Sequence, residues 1–278
     1  MKGLVIKKNA NLFSVECDGQ IFHLSPSGKT KASGIYVGDY VEFEENITKV
    51  LPRKNLLIRP PMANIDKLFI VLAPTPKPDF VLVDKMIIYC HLNDISPCIV
   101  VNKKDLCDEE FANKIKEDYA CYDVLFLSAK NESPEELENS IQGICALAGQ
   151  SAVGKSSLIN AIFKDETKTE TGTLSAKIER GKQTTRLVSL YKVGKGYLAD
   201  TAGFSLLDLS FVSNLDKGEL ASYYPDFLKG REGCKYRSCL HEGGDCGVIK
   251  LVRDGKISKR RYENYLKILQ EMKNSKKY

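Results

Sequence analysis

The sequence predicts a multidomain α/β protein: an N-terminal OB-type β-barrel, a central parallel α/β domain and a C-terminal α-helical domain organised by a metal ion. Three observations predict it. Residues 1–60 alternate apolar and polar side chains in short runs, residues 68–163 alternate apolar runs with helical patterns, and residues 234–246 crowd three cysteines and a histidine together.

In the first region Leu4/Ile6, Phe13/Val15/Cys17, Ile21/Phe22/Leu24 and Val37/Val41/Phe43 are separated by turn signals at Asn9, Asp18-Gly19, Ser27-Gly28 and Gly38-Asp39. Short strands with tight turns and no helical period suit a five-stranded barrel of the OB type. Arg59-Pro60-Pro61 reads as a stiff linker, because a residue before proline avoids the helical region, and it places the first boundary at residue 62. Strands at Leu68–Ala73, Cys98–Val101, Val124–Leu127 and Ile144–Ala148, with helices around Phe80–His91 and from Asp108, follow as a parallel sheet over 63–215. Ligands bind such sheets off the carboxyl ends of the strands, so the loops after Val101, Leu127 and Ala148 are where function should sit.

Each of those loops carries a motif. Gly149-Gln150-Ser151-Ala152-Val153-Gly154-Lys155-Ser156 matches the phosphate-binding P-loop pattern between a buried strand and an amphipathic helix bearing Leu158, Ile159, Ile162 and Phe163. Its backbone amides, with Ser157 beyond, would cradle phosphate oxygens; Lys155 would neutralise the β- and γ-phosphates, and Ser156 would offer its hydroxyl to Mg²⁺. Asn102-Lys103-Lys104-Asp105 selects the base: the Asp105 carboxylate can accept from both guanine N1–H and the exocyclic amine, which adenine cannot satisfy. The stem of Lys103 can cover the base, and Ser128-Ala129-Lys130 matches an auxiliary loop whose backbone amide meets guanine O6.

Asp200-Thr201-Ala202-Gly203 ends the apolar run Tyr197–Ala199, placing Asp200 to reach Mg²⁺ through water and the Gly203 amide to sense γ-phosphate. Between it and the P-loop lies Gly181-Lys182-Gln183-Thr184-Thr185 in a polar stretch, a switch loop in which Thr185 or Thr184 should close on Mg²⁺. Phe204 stands where a water-orienting Gln often follows Asp-x-x-Gly, which leaves Gln183 as the nearest candidate for that role, with a group on the partner as the alternative. The central domain is therefore expected to be a P-loop GTPase, with GTP and GDP as ligands. Its guanine motifs precede its P-loop, so the domain is circularly permuted: the strand-end loops keep their places while the chain runs through them in a rotated order.

Cys234-x4-Cys239-x-His241-x4-Cys246, with glycines at 233, 243, 244 and 247, is a closed set of four ligands for one structural zinc. Cysteines 17, 90, 98, 107, 121 and 145 read as packing residues, and His23 and His91 as structural. Ile257–Lys273 predicts a helix with Tyr262, Tyr265, Leu266 and Leu269 on one side and Lys259, Arg260, Arg261, Lys267 and Lys273 elsewhere, within a third domain over 216–278.

Charge divides along the chain. Residues 1–60 carry a balance of +3, residues 250–278 a balance of +7 and the middle −5, within a total of +5 over 278 residues. Basic flanks around a neutral to acidic core suit a protein that grips a phosphate backbone at both ends, with nucleic acid the expected polyanion. No stretch approaches the roughly 18 uninterrupted apolar residues of a membrane span, so a soluble, cytoplasmic monomer is expected.

Taken together these motifs resemble the bacterial ribosome small subunit-dependent GTPase A family over nearly the whole chain, down to Gly255-Lys256-Ile257 and Arg261-Tyr262-x-x-Tyr265. The resemblance implies binding to the small ribosomal subunit late in its maturation, GTP hydrolysis stimulated by it, and release on hydrolysis. Against the family pattern, Gln183 replaces a usual His and Arg186 a third threonine, Ala152 replaces a P-loop Gly, and the zinc loop is one residue shorter between His241 and Cys246.

Overall fold

Residues 1–50 fold as the small barrel that the alternation predicts. The strands are β1 (Lys2–Asn9), β2 (Leu12–Cys17), β3 (Gln20–Leu24), β4 (Tyr40–Phe43) and β5 (Ile47–Val50), paired in the order β3-β2-β1-β4-β5. A bridge between Pro26 and Ile47 brings the chain after β3 against β5 and closes the ring. Val5, Phe13, Val15, Leu24, Ile35, Val41, Phe43 and Ile47 fill it. At one corner the fully buried Asp39 carboxylate holds Arg53 at 2.6 Å and the Tyr36 amide at 2.8 Å. The computed structural model describes residues 1–28, 30, 32–58, 60–163, 188–200 and 215–274.

The residues on either side of the stretch read as a linker are packed. β6 (Leu56–Ile58) and β7 (Pro61–Ala63) form a hairpin, and its Leu57 and Met62 are buried in the core of the α/β sheet. Proline opening a short two-stranded ribbon does not break it, because that position needs no donated amide.

The central elements are β8 (Lys67–Leu72), α1 (Phe80–Leu92), β9 (Ser96–Val101), α2 (Glu109–Asp118), β10 (Asp123–Phe126), α3 (Glu135–Asn139), β11 (Gln142–Gly149), α4 (Lys155–Phe163), β12 (Ser189–Val193) and β13 (Lys195–Asp200). Strands β10-β9-β8-β11-β13 are parallel, and β12 runs antiparallel beside β13. Their near-continuous apolar sequences follow from burial on both faces: α1 and α2 pack on one side through Val83, Met86, Ile87 and Ile115, α3 and α4 on the other through Leu137, Leu158 and Ile162. Asp79 and Asp108 cap α1 and α2, accepting from the Leu82 and Phe111 amides at 3.0 and 2.7 Å.

The barrel and this sheet are one continuous ladder of eleven strands, because β1 also pairs with β12 through Lys7 and Ser189. Both faces of β1 are consequently buried. Val5 points into the barrel, while Leu4 and, in part, Ile6 join the core of the α/β sheet with Leu190 and Ala199.

The C-terminal unit holds α5 (Leu228–Glu232), α6 (Gly247–Arg253) and α7 (Lys259–Asn274) around Tyr224, Phe227, Val248, Tyr265, Ile268 and Leu269, with Ile88 of α1 in the same core. Here one expectation is corrected. Arg261, read as part of a basic outward surface, is 1 % exposed and turns inward: its guanidinium bonds the fully buried Asp84 of α1 and reaches Asp226 at 3.1 Å. Asn264 donates to the other Asp84 oxygen at 2.9 Å. Arg261 lies 4.5 Å from the centre of the Tyr224 ring and 5.3 Å from that of Tyr119. Burial opposes its charge, yet the carboxylates of Asp84 and Asp226 hold it protonated. Arg260 and Lys273 are also engaged, with Asp118 at 2.9 Å and Glu242 at 2.5 Å.

Candidate nucleotide site and metal centre

Strand β11 delivers the P-loop at its carboxyl end, and two glycines let it turn there. Gly149 has φ +144°, and a Cβ on it would stand 2.1 Å from the Val71 carbonyl oxygen of the neighbouring strand. Gly154 has φ +95°, and a Cβ there would strike Asn102 Nδ2 at 2.2 Å. The bare backbone at Gly154 is what admits the first residue of the guanine motif.

Asn102 is nearly fully buried and stitches three loops together. Its amide nitrogen donates to the Val153 carbonyl at 2.9 Å, while its oxygen accepts from the Ala129 amide at 3.1 Å. Lys103, in a left-handed conformation at φ 59°, donates to the Thr75 carbonyl at 2.7 Å and the Ala152 carbonyl at 3.0 Å. Asp105 sits in a short turn over Lys104–Leu106, its carboxylate accepting from the Ser128 hydroxyl at 2.6 Å, and Lys104 is bridged to Glu132 at 3.4 Å. The structure thus gathers Asn102–Asp105, Ser128–Lys130 and Gly149–Ser157 at one edge of the sheet. Gln150 extends the contact to α1, accepting from the Asp79 amide at 3.2 Å.

Lys155 opens α4 and folds back over the loop, donating to the Gly149 and Gln150 carbonyls at 2.8 Å each. Burial lowers its pKa, so part of the desolvation of this cation precedes the arrival of any anion. Ser156 and Ser157 are exposed in the first turn of α4, and Asp200 ends β13, the strand beside β11. Gln183, Thr184, Thr185, Gly203 and Phe204 lie outside the described residues.

The second site is the cysteine cluster. Ligand atoms of Cys234, Cys239, His241 and Cys246 all lie within 4.8 Å of one another. Cys234 Sγ is 3.8 Å from Cys246 Sγ and 3.5 Å from His241 Nδ1, which is 3.3 Å from Cys246 Sγ. A tetrahedral ion with Zn–S of about 2.3 Å and Zn–N of about 2.0 Å requires edges of about 3.8 Å between sulfurs and about 3.5 Å between sulfur and nitrogen. The donor set therefore fits a four-coordinate soft-metal site, and the three edges among Cys234, His241 and Cys246 match it. Two tyrosines of α7 fix the loop from behind: Tyr262 donates to the His241 carbonyl at 2.7 Å and Tyr265 to the Leu240 carbonyl at 3.0 Å. Those clamps were not read from the sequence, although Tyr262 and Tyr265 stand out on the apolar side of the helix.

Comparison with known proteins agrees with this architecture. The family model of the RsgA GTPase matches residues 50–210, and that of a 50S ribosome-binding GTPase matches residues 144–277. A small ribosomal subunit biogenesis GTPase RsgA from Staphylococcus carnosus is 37% identical, covering 99% of this chain and 98% of its own. The protein of that name from Clostridium acetobutylicum is 36% identical over the full length of both. Among solved structures, YjeQ from Thermotoga maritima superposes with a TM-score of 0.82 at 32% identity, covering 99% of each chain. YloQ, described as a circularly permuted GTPase, superposes at 0.80 with 30% identity, covering 100% of this chain and 96% of its own.

Proposed function

The chain belongs to the RsgA GTPase family, and from that premise we propose that it binds the small ribosomal subunit during its biogenesis and hydrolyses GTP to GDP and phosphate with subunit-stimulated turnover. The observation that carries the nucleotide part is Asn102, whose side chain fastens the guanine motif onto the P-loop through the Val153 carbonyl, beside Gly154, which has no Cβ to block it. In this reading Asp105 pairs with the guanine edge, Lys103 covers the base, the Ser128–Lys130 loop meets O6, and the amides of Gly149–Ser157 hold the phosphates. Lys155 leaves the loop carbonyls for the β- and γ-phosphates, a short move between ligands of the same kind.

Ser156, one of Thr184 and Thr185, and Asp200 through water supply hard oxygen ligands that suit Mg²⁺, which when bound neutralises charge on the β- and γ-phosphates. Thr185 is our assignment for the direct ligand. Gln183 is assigned to orient the attacking water, since Phe204 cannot, and the Gly203 amide to sense γ-phosphate. Zn²⁺ in the Cys234, Cys239, His241 and Cys246 set serves folding, because four protein ligands leave no open position for substrate.

The barrel and the C-terminal unit are assigned to ribosomal RNA. With Arg261 turned inward, Lys229, Lys235, Arg237, Lys250, Arg253, Lys256, Lys259 and Lys267 are among the cations the C-terminal unit presents outward. Among the described residues no helix is long and apolar enough to cross a membrane, and the proposed setting is a cytoplasmic monomer. The test is single-turnover GTP hydrolysis with and without purified small subunits. The rate is expected to rise at least about tenfold, the equivalent of about 1.4 kcal/mol of barrier; an unchanged rate overturns the proposal.

A further inference from the structure

Neither the P-loop nor the guanine motif explains how the far edge of the nucleotide site is held. That edge is the open end of the β12–β13 pair, where Ser189 stands opposite Asp200. The segment carrying Thr184 and Thr185 enters at Ser189, and Asp200 leads out into Gly203. On one side β13 is anchored to the P-loop strand β11. On the other the anchor is the barrel: Lys7 of β1 pairs with Ser189. Three residues before Asp200, Tyr197 donates its hydroxyl to Glu16 Oε2 of β2 at 2.5 Å. The second Glu16 oxygen accepts from the Gly19 amide in the β2–β3 turn at 2.9 Å, so the carboxylate is fixed at both ends. The Tyr197 ring packs on the core of the α/β sheet, where Leu4 of the barrel also lies.

We propose that Tyr197 and Glu16 are positioning residues for GTP hydrolysis: through this seam the barrel sets the height of the Ser189–Asp200 end relative to the P-loop. The inference rests on the assignment of Asp200 to the Mg²⁺ site. Small displacements there matter, since misplacement of a reacting group by about 1 Å can cost as much as about a hundredfold in rate. Guanine recognition, built on β9, β10 and the P-loop, is untouched by the seam.

The test is intrinsic single-turnover hydrolysis by the full chain, without subunits, across a Mg²⁺ titration. Tyr197→Phe keeps the packed ring and removes only the donor; Glu16→Ala removes the acceptor; Glu16→Gln keeps an acceptor. Expected for Tyr197→Phe and Glu16→Ala are a rate about fivefold lower, a half-saturating Mg²⁺ concentration several-fold higher and an unchanged GDP affinity, with Glu16→Gln close to the unaltered protein. The inference is overturned if Tyr197→Phe leaves rate and Mg²⁺ dependence within twofold, or if Glu16→Gln is as damaging as Glu16→Ala. Failure of subunit stimulation is read in a separate assay and leaves this outcome intact.

Discussion

The N-terminal barrel meets the α/β sheet through main chain, β1 pairing with β12 while Leu4 enters the sheet's core; the C-terminal unit meets the α/β domain through side chains, Arg261 of α7, itself braced by Asp226, reaching Asp84 of α1. A ladder with apolar packing distributes its energy over many small contacts. A buried ion cluster concentrates it in a few groups, each expensive to leave unpaired. The cluster carries signs of that expense: among the described residues the Tyr119 and Tyr224 hydroxyls, Arg261 Nε and Asp226 Oδ2 are buried without a hydrogen-bond partner. Single changes should therefore act sharply on the C-terminal seam and gradually on the barrel seam.

Metal removal should have the largest effect. On the proposed assignment of zinc to the Cys/His set, the folded loop would bind the ion and an unfolded one would not, so the stabilisation can reach about 10 kcal/mol in small metal-organised units. The loop backs onto Tyr262 and Tyr265, which share a core with Ile88. A chelator is expected to lower the melting temperature of the C-terminal unit below that of the eleven-stranded sheet, giving two transitions by calorimetry where the loaded protein gives one. Simultaneous loss of both regions would show that the seams are not independent.

The nucleotide motifs were legible because their chemistry is local. Asn102–Asp105, Ser128–Lys130 and Gly149–Ser156 each follow an apolar run, and the fold needs only to bring strand ends together. Ligand spacing likewise revealed the Cys/His set. The β1–β12 pairing was not legible, since the alternation in Lys2–Asn9 is satisfied by a barrel alone and edge pairing is made by backbone that every residue shares. Arg261 was misassigned although a signal existed. It falls in helical register with Tyr265, Ile268 and Met272, and Asp84 is the one acidic residue in the apolar helix Phe80–Leu92; one inward charge of each sign on two apolar faces is the pattern of a buried pair.

Arg261→Met tests that pair at the next scale. Removing one partner leaves Asp84 as an uncompensated buried charge and should cost about 3–5 kcal/mol, seen as a lower denaturant midpoint. Adding Asp84→Leu to Arg261→Met removes both charges and should recover most of the loss. If the double variant is no better than the single one, the seam depends on packing around the guanidinium rather than on charge, and the contrast with the barrel narrows.

The smallest effect belongs to the barrel seam. Leu4 is 3 % exposed and belongs to the core of the α/β sheet, whereas its neighbour Val5 belongs to the barrel. Leu4→Ala leaves a void between β1 and Leu190 with the main-chain ladder intact, at a cost of about 2–3 kcal/mol. Because that core spans both units, barrel and sheet should lose stability together, in one transition with an unchanged denaturant slope. A barrel that melts ahead of the sheet in Leu4→Ala would mean that the ladder alone cannot hold it, and that the shared apolar residues carry the seam.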